Sequence, residues 1–360
     1  MSDEDLCYMT ASEAVSLFKA RKLSPVELMQ AVIDRAEAVE PTINVFADTY
    51  FEEAMDQAKK AEAKYARPVA RVRPLEGLPL AVKDENKIKG RRTTAGSLVF
   101  KDAIDTSTSL SIERLMKAGG IVHARSTSPE FACAGVTHSR LWGVSRNPWN
   151  PEFTTGGSSG GAGGSLAAGT TTIANGSDIW GSIRMPASCC GVLGFKPPYG
   201  RVPEDSPFNL DVYCHEGPMA RSVDDLVMMQ NVMAGPHPKD IASIRPKLSI
   251  PKDLKPIKGW KIAYSMDLGY FEVDPEVVQN TQETLAMLRD LGAEVVEVDL
   301  GWTPTTLTAA SNYLGHIFGN SLAALLPRHR EEMTNYARSF AQFGQTTTAT
   351  DFLASMDVLN

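Results

Sequence analysis

The 360-residue chain is 43% hydrophobic and 22% charged, ordinary globular proportions with room for one large domain or two smaller ones. A net charge of −7 without any basic run argues against a nucleic-acid partner, and no apolar stretch approaches the ~20 residues that cross a membrane. The acidic start, MSDEDLCYMT, lacks a signal region, and five cysteines, few and odd in number, fit a reduced, cytoplasmic protein better than a disulfide scaffold.

The first third reads as helical. Thr10 and Glu13 have capping-box spacing, as do Ser24 and Glu27, and Pro25 occupies the favoured first helical position. Val26, Met29, Val32, Ile33 and Ala36 follow at helical spacing. A third helix is predicted from about Tyr50 to Lys64, after which Pro68 and Pro74 break the pattern. Leu78–Val82 is a short apolar run ending in Lys83-Asp84-Glu85, as expected of a buried strand emerging at its C-terminal end. Ser109–Ala118 reads as an amphipathic helix closed by Gly119-Gly120, with a strand at Ile121–Ala124. This alternation predicts an α/β fold: a mixed β-sheet core with helices on both faces. The domain reading is a helical region over residues 1–70 packing on a core of residues 71–360, one continuous domain.

Residues 156–200 hold 12 of the 28 glycines, with Ser158, Ser159, Ser165, Ser177, Ser182 and Ser188 among them. Apolar residues interleave, so the segment reads as an ordered core loop system rather than a linker. Farther on, a strand at Ile262–Ser265 precedes a helix capped by Asp274, with Pro275 first. Val277, Val278, Thr281, Leu285 and Leu288 mark its buried face, Gly292 ends it, and Ala293–Val298 is the next strand.

Common motifs fit poorly. The glycine cluster lacks the G-K-[ST] of a phosphate loop, and there is no H-E-x-x-H or paired C-x-x-C. Cys189-Cys190 reads as packing rather than metal ligation, and His138 and His215 as ordinary polar residues rather than catalytic bases. Residues 157–161 satisfy G-x-S-x-G, but the preceding stretch carries Pro148 and Pro151 and is extended loop, not the strand a nucleophile elbow needs.

Both serine positions together give a better match. Gly156-Gly157-Ser158-Ser159-Gly160-Gly161, then Gly176-Ser177-Asp178-Ile179-Trp180-Gly181-Ser182-Ile183-Arg184, resembles the amidase signature family. Pro79-Leu80-Ala81-Val82-Lys83-Asp84 is similar to that family's lysine segment. Thr93–Ser97, Pro129-Glu130-Phe131, Arg146–Asn150 and Gly217–Arg221 are similar to its other landmarks, and the likeness weakens beyond about Gly235.

The resemblance implies that Ser182 is the nucleophile, that Ser158, in a cis peptide linkage, passes the proton, and that neutral Lys83 is the final base. It places an oxyanion hole on the N–H groups of Ile179, Trp180, Gly181 and Ser182, a substrate-pocket wall at Ala132, and a structural pair at Asp178 and Arg184. The chemistry is coherent by itself: a serine hydroxyl needs an adjacent base, and a lysine serves only if burial or neighbours keep it neutral. No metal or cofactor is implied. The implied partner is a small-molecule amide, aryl amides included, or a carbamate or ester handled by the same acyl chemistry. Nucleic acid and membrane are not expected as partners, and a homodimer stays open. The readings from other classes are a catalytically dead binding protein and the amidase subunit of a glutamine-dependent amidotransferase.

Two departures stand out. Trp180 occupies a position where the family usually has glycine, which leaves either a reshaped oxyanion hole, an acyl-pocket wall, or an indole packed into the core. Asp351–Val358 reads as a helix without a cap or stop signal, and the resemblance leads one to expect a truncated C-terminal part.

Overall fold

The computed structural model describes residues 2–67 and 71–360; the break at Pro68 lies outside them. The chain divides into two compact units, the first Met1–Lys252 with Glu331–Tyr336, the second Asp253–Arg330 with Ala337–Asn360. Residues 71–360, read from the sequence as continuous, therefore contribute to both.

The first unit opens with α1 (Asp3–Tyr8), α2 (Ala11–Lys19) and α3 (Pro25–Ile43). Ser24 and Glu27 form the full capping box at α3, with Pro25 at its start, whereas Thr10 caps α2 through the Glu13 N–H. A short strand β1 (Phe46–Thr49) and α4 (Phe51–Tyr65) follow. Then come β2 (Pro79–Lys83), α5 (Leu110–Lys117), β3 (Ile121–Ser126) and a small hairpin, β4 (His138–Ser139) with β5 (Gly143–Val144). Residues 156–200 are not only loop: they contain α6 (Gly160–Ala167), β6 (Ile173–Asp178), α7 (Arg184–Cys190) and β7 (Leu193–Gly194). β8 (His215–Ala220) and α8 (Val223–Met233) complete the unit's regular elements up to residue 252.

Six strands form one mixed sheet in the order β1-β3-β2-β6-β8-β7. The central trio β3-β2-β6 is parallel, and β1, β8 and β7 run antiparallel to their neighbours. β2, β3, β6 and β8 are buried at every position, as expected of central strands covered on both faces. One core joins Leu28 and Val32 of α3, Leu80 and Val82 of β2, Ile112 and Leu115 of α5, and Met229 and Met233 of α8. The N-terminal helices thus share the sheet's own core. Helix α6 is glycine-rich for a steric reason: a Cβ at Gly161 would overlap the Thr127 backbone just past β3.

The second unit holds a two-stranded parallel sheet, β9 (Lys261–Tyr264) and β10 (Glu294–Glu297), joined through α9 (Pro275–Asp290). Asp274 caps α9 through the Glu276 N–H, and Gly292 follows it at φ +89°. The expected buried face is thinner than its spacing suggests. Leu285 is buried, Val278, Thr281 and Leu288 are half-buried, and Val277 is exposed, because a two-stranded sheet covers little of a four-turn helix. Helices α10 (Pro304–Leu314), α11 (Asn320–Ala323), α12 (Leu326–His329), α13 (Asn335–Thr346) and α14 (Ala349–Leu359) follow; α13 begins in the first unit. α10 and α14 pack through Tyr313 and Phe352, ring centroids 5.3 Å apart. Contrary to the sequence reading, α14 has a cap: Thr348 and Asp351 form a capping box. No helix among the described residues is long and apolar enough to cross a membrane.

Candidate active site

The C-terminal ends of β2 and β6 lie side by side, and Lys83 and Ser177 face each other there. Lys83 is 0% exposed. Its Nζ lies 2.8 Å from Ser158 Oγ, 2.8 Å from Ser177 Oγ and 3.1 Å from Glu85 Oε1. Ser177 donates its hydroxyl proton to Glu85. The strand beneath is pinned by the Lys83 N–H, which donates to Asn175 Oδ1 at 3.1 Å. Ser158 is buried, and its peptide bond with Gly157 is cis, as the resemblance implies. A buried amine among hydroxyls and one carboxylate can exchange a proton with a serine, provided its lone pair faces that serine.

Two further carboxyl groups back this corner. Glu216 on β8 accepts from Asn86 Nδ2 at 2.6 Å and Asn175 Nδ2 at 3.1 Å. Burial, and then the Glu85 charge, push its carboxyl up to about 7 despite those bonds. Glu204 is pushed up to about 10 by burial and then by the Glu216 charge. Asp84, buried next to Lys83, is used structurally: it accepts from the Thr94 side chain and backbone and from Trp142 Nε1, and lies 3.7 Å from the Arg125 guanidinium.

The loop after β6 brings Ser182 to Ser158 through its backbone: the Ser159 N–H donates to the Ser182 carbonyl at 3.1 Å. The Ser182 side chain is half-buried, and among the described residues its hydroxyl makes no hydrogen bond to Ser158. Asp178 organises the loop. Its carboxylate takes a bidentate pair from Arg184 at 2.9 and 3.0 Å and an ion pair from Lys196 at 3.2 Å. It also accepts the N–H groups of Gly181 at 2.8 Å, Ile183 at 3.1 Å and Arg184 at 3.3 Å. Burial pushes this carboxyl up, but the Arg184 bonds, the Lys196 charge and the Gly181 N–H outweigh it and hold it well below the usual carboxylate range.

That arrangement narrows the oxyanion expectation. The Gly181 N–H points at Asp178, so it is spent inside the loop. The N–H groups of Ile179, Trp180 and Ser182 make no hydrogen bond among the described residues. Gly181, at φ +105°, supplies the left-handed turn, and Trp180 has no positive φ, so a bulky residue fits there without strain. The indole is 48% exposed, which rules out the reading that it packs into the core.

Ala132 is half-buried and, with Phe131 before it, sits at positive φ (+55° and +53°). The preceding residue is clasped from far along the chain. Tyr336 Oη accepts the Glu130 N–H at 2.7 Å and donates to the His138 carbonyl at 2.6 Å, while the Thr334 N–H donates to the Glu130 carboxylate at 2.6 Å. His215 pairs with Asp178 across the β6–β8 ladder, and burial and then the Lys196 charge lower its ring to about 4. Ser159 is buried at the start of α6, and Cys190 is buried with Sγ 3.5 Å from the Thr155 carbonyl. Glu85, Ser177, Asn175 and Glu216 were given no role from sequence. Glu85 offered the one local signal, a charge two residues past the lysine.

A family model described as Amidase matches residues 27–358. The chain is 36% identical over 311 residues to a glutamyl-tRNA(Gln) amidotransferase subunit from Carboxydothermus hydrogenoformans, covering 84% of this chain and 63% of that protein. It is 34% identical over 305 residues to an acylamidase from Rhodococcus erythropolis, covering 84% of this chain and 64% of the relative. The chain therefore spans a little under two thirds of these relatives' length. Among solved structures, a bacterial aryl acylamidase superposes with a TM-score of 0.90 at 29% identity, over 97% of this chain and 74% of the other. A 6-aminohexanoate cyclic dimer hydrolase superposes at 0.83 with 27% identity, over 98% of this chain and 75% of the other.

Proposed function

The chain belongs to the amidase signature family, and from that premise we propose that it hydrolyses a small-molecule amide bond through an acyl-enzyme on Ser182. The observation that carries this reading is the fully buried Lys83 amine 2.8 Å from the Ser158 hydroxyl, on the backbone that holds Ser182 alongside.

In the proposed course the Ser182 oxygen bonds to the amide carbon as its proton passes to Ser158 and the Ser158 proton passes to neutral Lys83. The carbonyl electron pair moves onto oxygen, facing the N–H groups of Ile179, Trp180 and Ser182. Collapse breaks the carbon–nitrogen bond, and the amine leaves with the proton returned through Ser158. Water then attacks the acyl ester by the same relay and restores Ser182. The Ser182–Ser158 hydrogen bond forms in the substrate complex, since such contacts are commonly long in unliganded sites. Asp178 and Arg184 brace the loop, and Ala132 lines the pocket.

The likeness to a bacterial aryl acylamidase makes aryl amides the first substrates to try; carbamates and esters follow by shared acyl chemistry. A second reading, ammonia release from glutamine within an amidotransferase, is favoured by the 36% identical amidotransferase relative. The odd, unpaired cysteines suit a cytoplasmic setting.

The test is turnover of aryl amides, carbamates, esters and glutamine by the wild type and Ser182→Ala. Turnover that falls to background in the variant supports the reading, and the ranking names the substrate class. Turnover that survives in Ser182→Ala refutes it.

A further inference from the structure

Among the described residues Lys83 Nζ has three polar partners, and their chemistry differs. Glu85 is a carboxylate facing Nζ at 3.1 Å and can only accept. Ser177 gives its single proton to Glu85, so toward Nζ at 2.8 Å it too can only accept. Ser158, at 2.8 Å, is the remaining neighbour and is free to donate. A neutral amine has two N–H bonds and one lone pair. If the two N–H bonds go to Glu85 and Ser177, the lone pair must face Ser158. After proton transfer the ammonium has three N–H bonds, and the same three oxygens accept them with no heavy atom moving.

We propose that Glu85 is a positioning residue of this site: directly and through Ser177 it turns the Lys83 lone pair onto Ser158 and then holds the ammonium that forms. The proposal rests on the relay proposed above and adds what aims it. The surrounding charges are committed elsewhere. Asp84, just past the end of β2, faces Arg125 of β3, and Asp178 on β6 is held by Arg184 and Lys196. Glu216 on β8 is tied to Asn86 and Asn175, and it and Glu204 have carboxyls raised above the usual range. Asp211 accepts the N–H groups of Tyr213 and Cys214, and the Cys214 thiol is raised by burial.

The experiment is the pH profile of kcat and KM for the full chain, wild type against Glu85→Gln, Ser177→Ala and Lys83→Ala, on the best substrate of the panel. A glutamine removes the charge and offers a competing donor. Without the carboxylate the ammonium is less stabilised, so the acid limb of kcat/KM moves to lower pH, by about one unit for a charge this close. With the lone pair no longer aimed, plateau kcat falls about 10- to 100-fold while KM stays within about twofold. Ser177→Ala moves both in the same direction by less, and it carries the test if Glu85→Gln does not fold. A wild-type profile and kcat in both, with Lys83→Ala inactive, overturns the positioning role alone. Wild-type turnover in Lys83→Ala overturns the relay and the positioning role together.

Discussion

Both units contain a parallel pair of strands with a helix between them in sequence, β2–α5–β3 in the first and β9–α9–β10 in the second. Each unit also has a lysine at a strand end facing a glutamate: Lys83 with Glu85, two residues beyond β2, at 3.1 Å, and Lys261 with Glu294 across β9 and β10 at 3.7 Å. Lys83 is 0% exposed and the Lys261 side chain 76%. β2 and β3 are interior strands of a six-stranded sheet, whereas β9 and β10 have only each other, with Trp260, Met287 and Leu291 exposed around them. A lysine–glutamate pair therefore holds a buried amine in one place and an exposed ion pair in the other. Neighbouring strands, not the β–helix–β unit, decide whether a lysine is buried.

The comparison breaks most visibly at Lys83. Lys83→Ala should reduce turnover about 10²- to 10⁴-fold, the range for losing a general base, measured on the best amide of the panel. Next in size is packing: Leu80→Ala, fully buried on β2, should destabilise by about 2–5 kcal/mol in urea unfolding. A pH series sharpens the contrast further. The Glu216 carboxyl is raised to about 7 from 4.5, so its contribution to stability is complete below about pH 4.5 and is lost as pH rises through 7. Urea midpoints of the wild type should fall across that window, and Glu216→Gln should flatten the fall. At the small end, Lys261→Ala should leave turnover and melting temperature unchanged, because an exposed, screened pair contributes little. An equal loss of turnover at Lys261 and Lys83 would show that burial does not set the two lysines apart.

Much of the frame was legible in the sequence, because caps and helical spacing are local. Ser24, Glu27 and Pro25 set the start of α3, and Asp274 with Pro275 that of α9. The apolar run before Lys83 announced β2. Less legible were β6 and β8, whose sequences Ile-Ala-Asn-Gly-Ser-Asp and His-Glu-Gly-Pro-Met-Ala carry little β propensity. They are strands because the sheet buries them. The α14 cap was missed because an aspartate stands at the third helical position where glutamate or glutamine is usual. At the site, the motif resemblance pointed to Lys83, Ser158 and Ser182. It did not point to Ser177 or Glu85 as partners of Nζ. Ser177 lies 94 residues from Lys83, and its bond exists only because β6 is placed beside β2. The direction of the Gly181 N–H was also beyond reach, since it depends on where the Asp178 carboxylate turns.

The clasp on Glu130 has a consequence for how the protein is made. Thr334 and Tyr336, which hold Glu130 and His138, are translated about 200 residues after them, and the whole stretch 253–330 comes in between. At ordinary synthesis speeds that intervening stretch takes on the order of ten seconds to emerge. During that interval the nascent first unit carries its lysine strand and both serine segments but lacks the tyrosine that locks the Phe131–Ala132 bend. The bend at Phe131–Ala132 is thus secured only after the second unit's first stretch has been made.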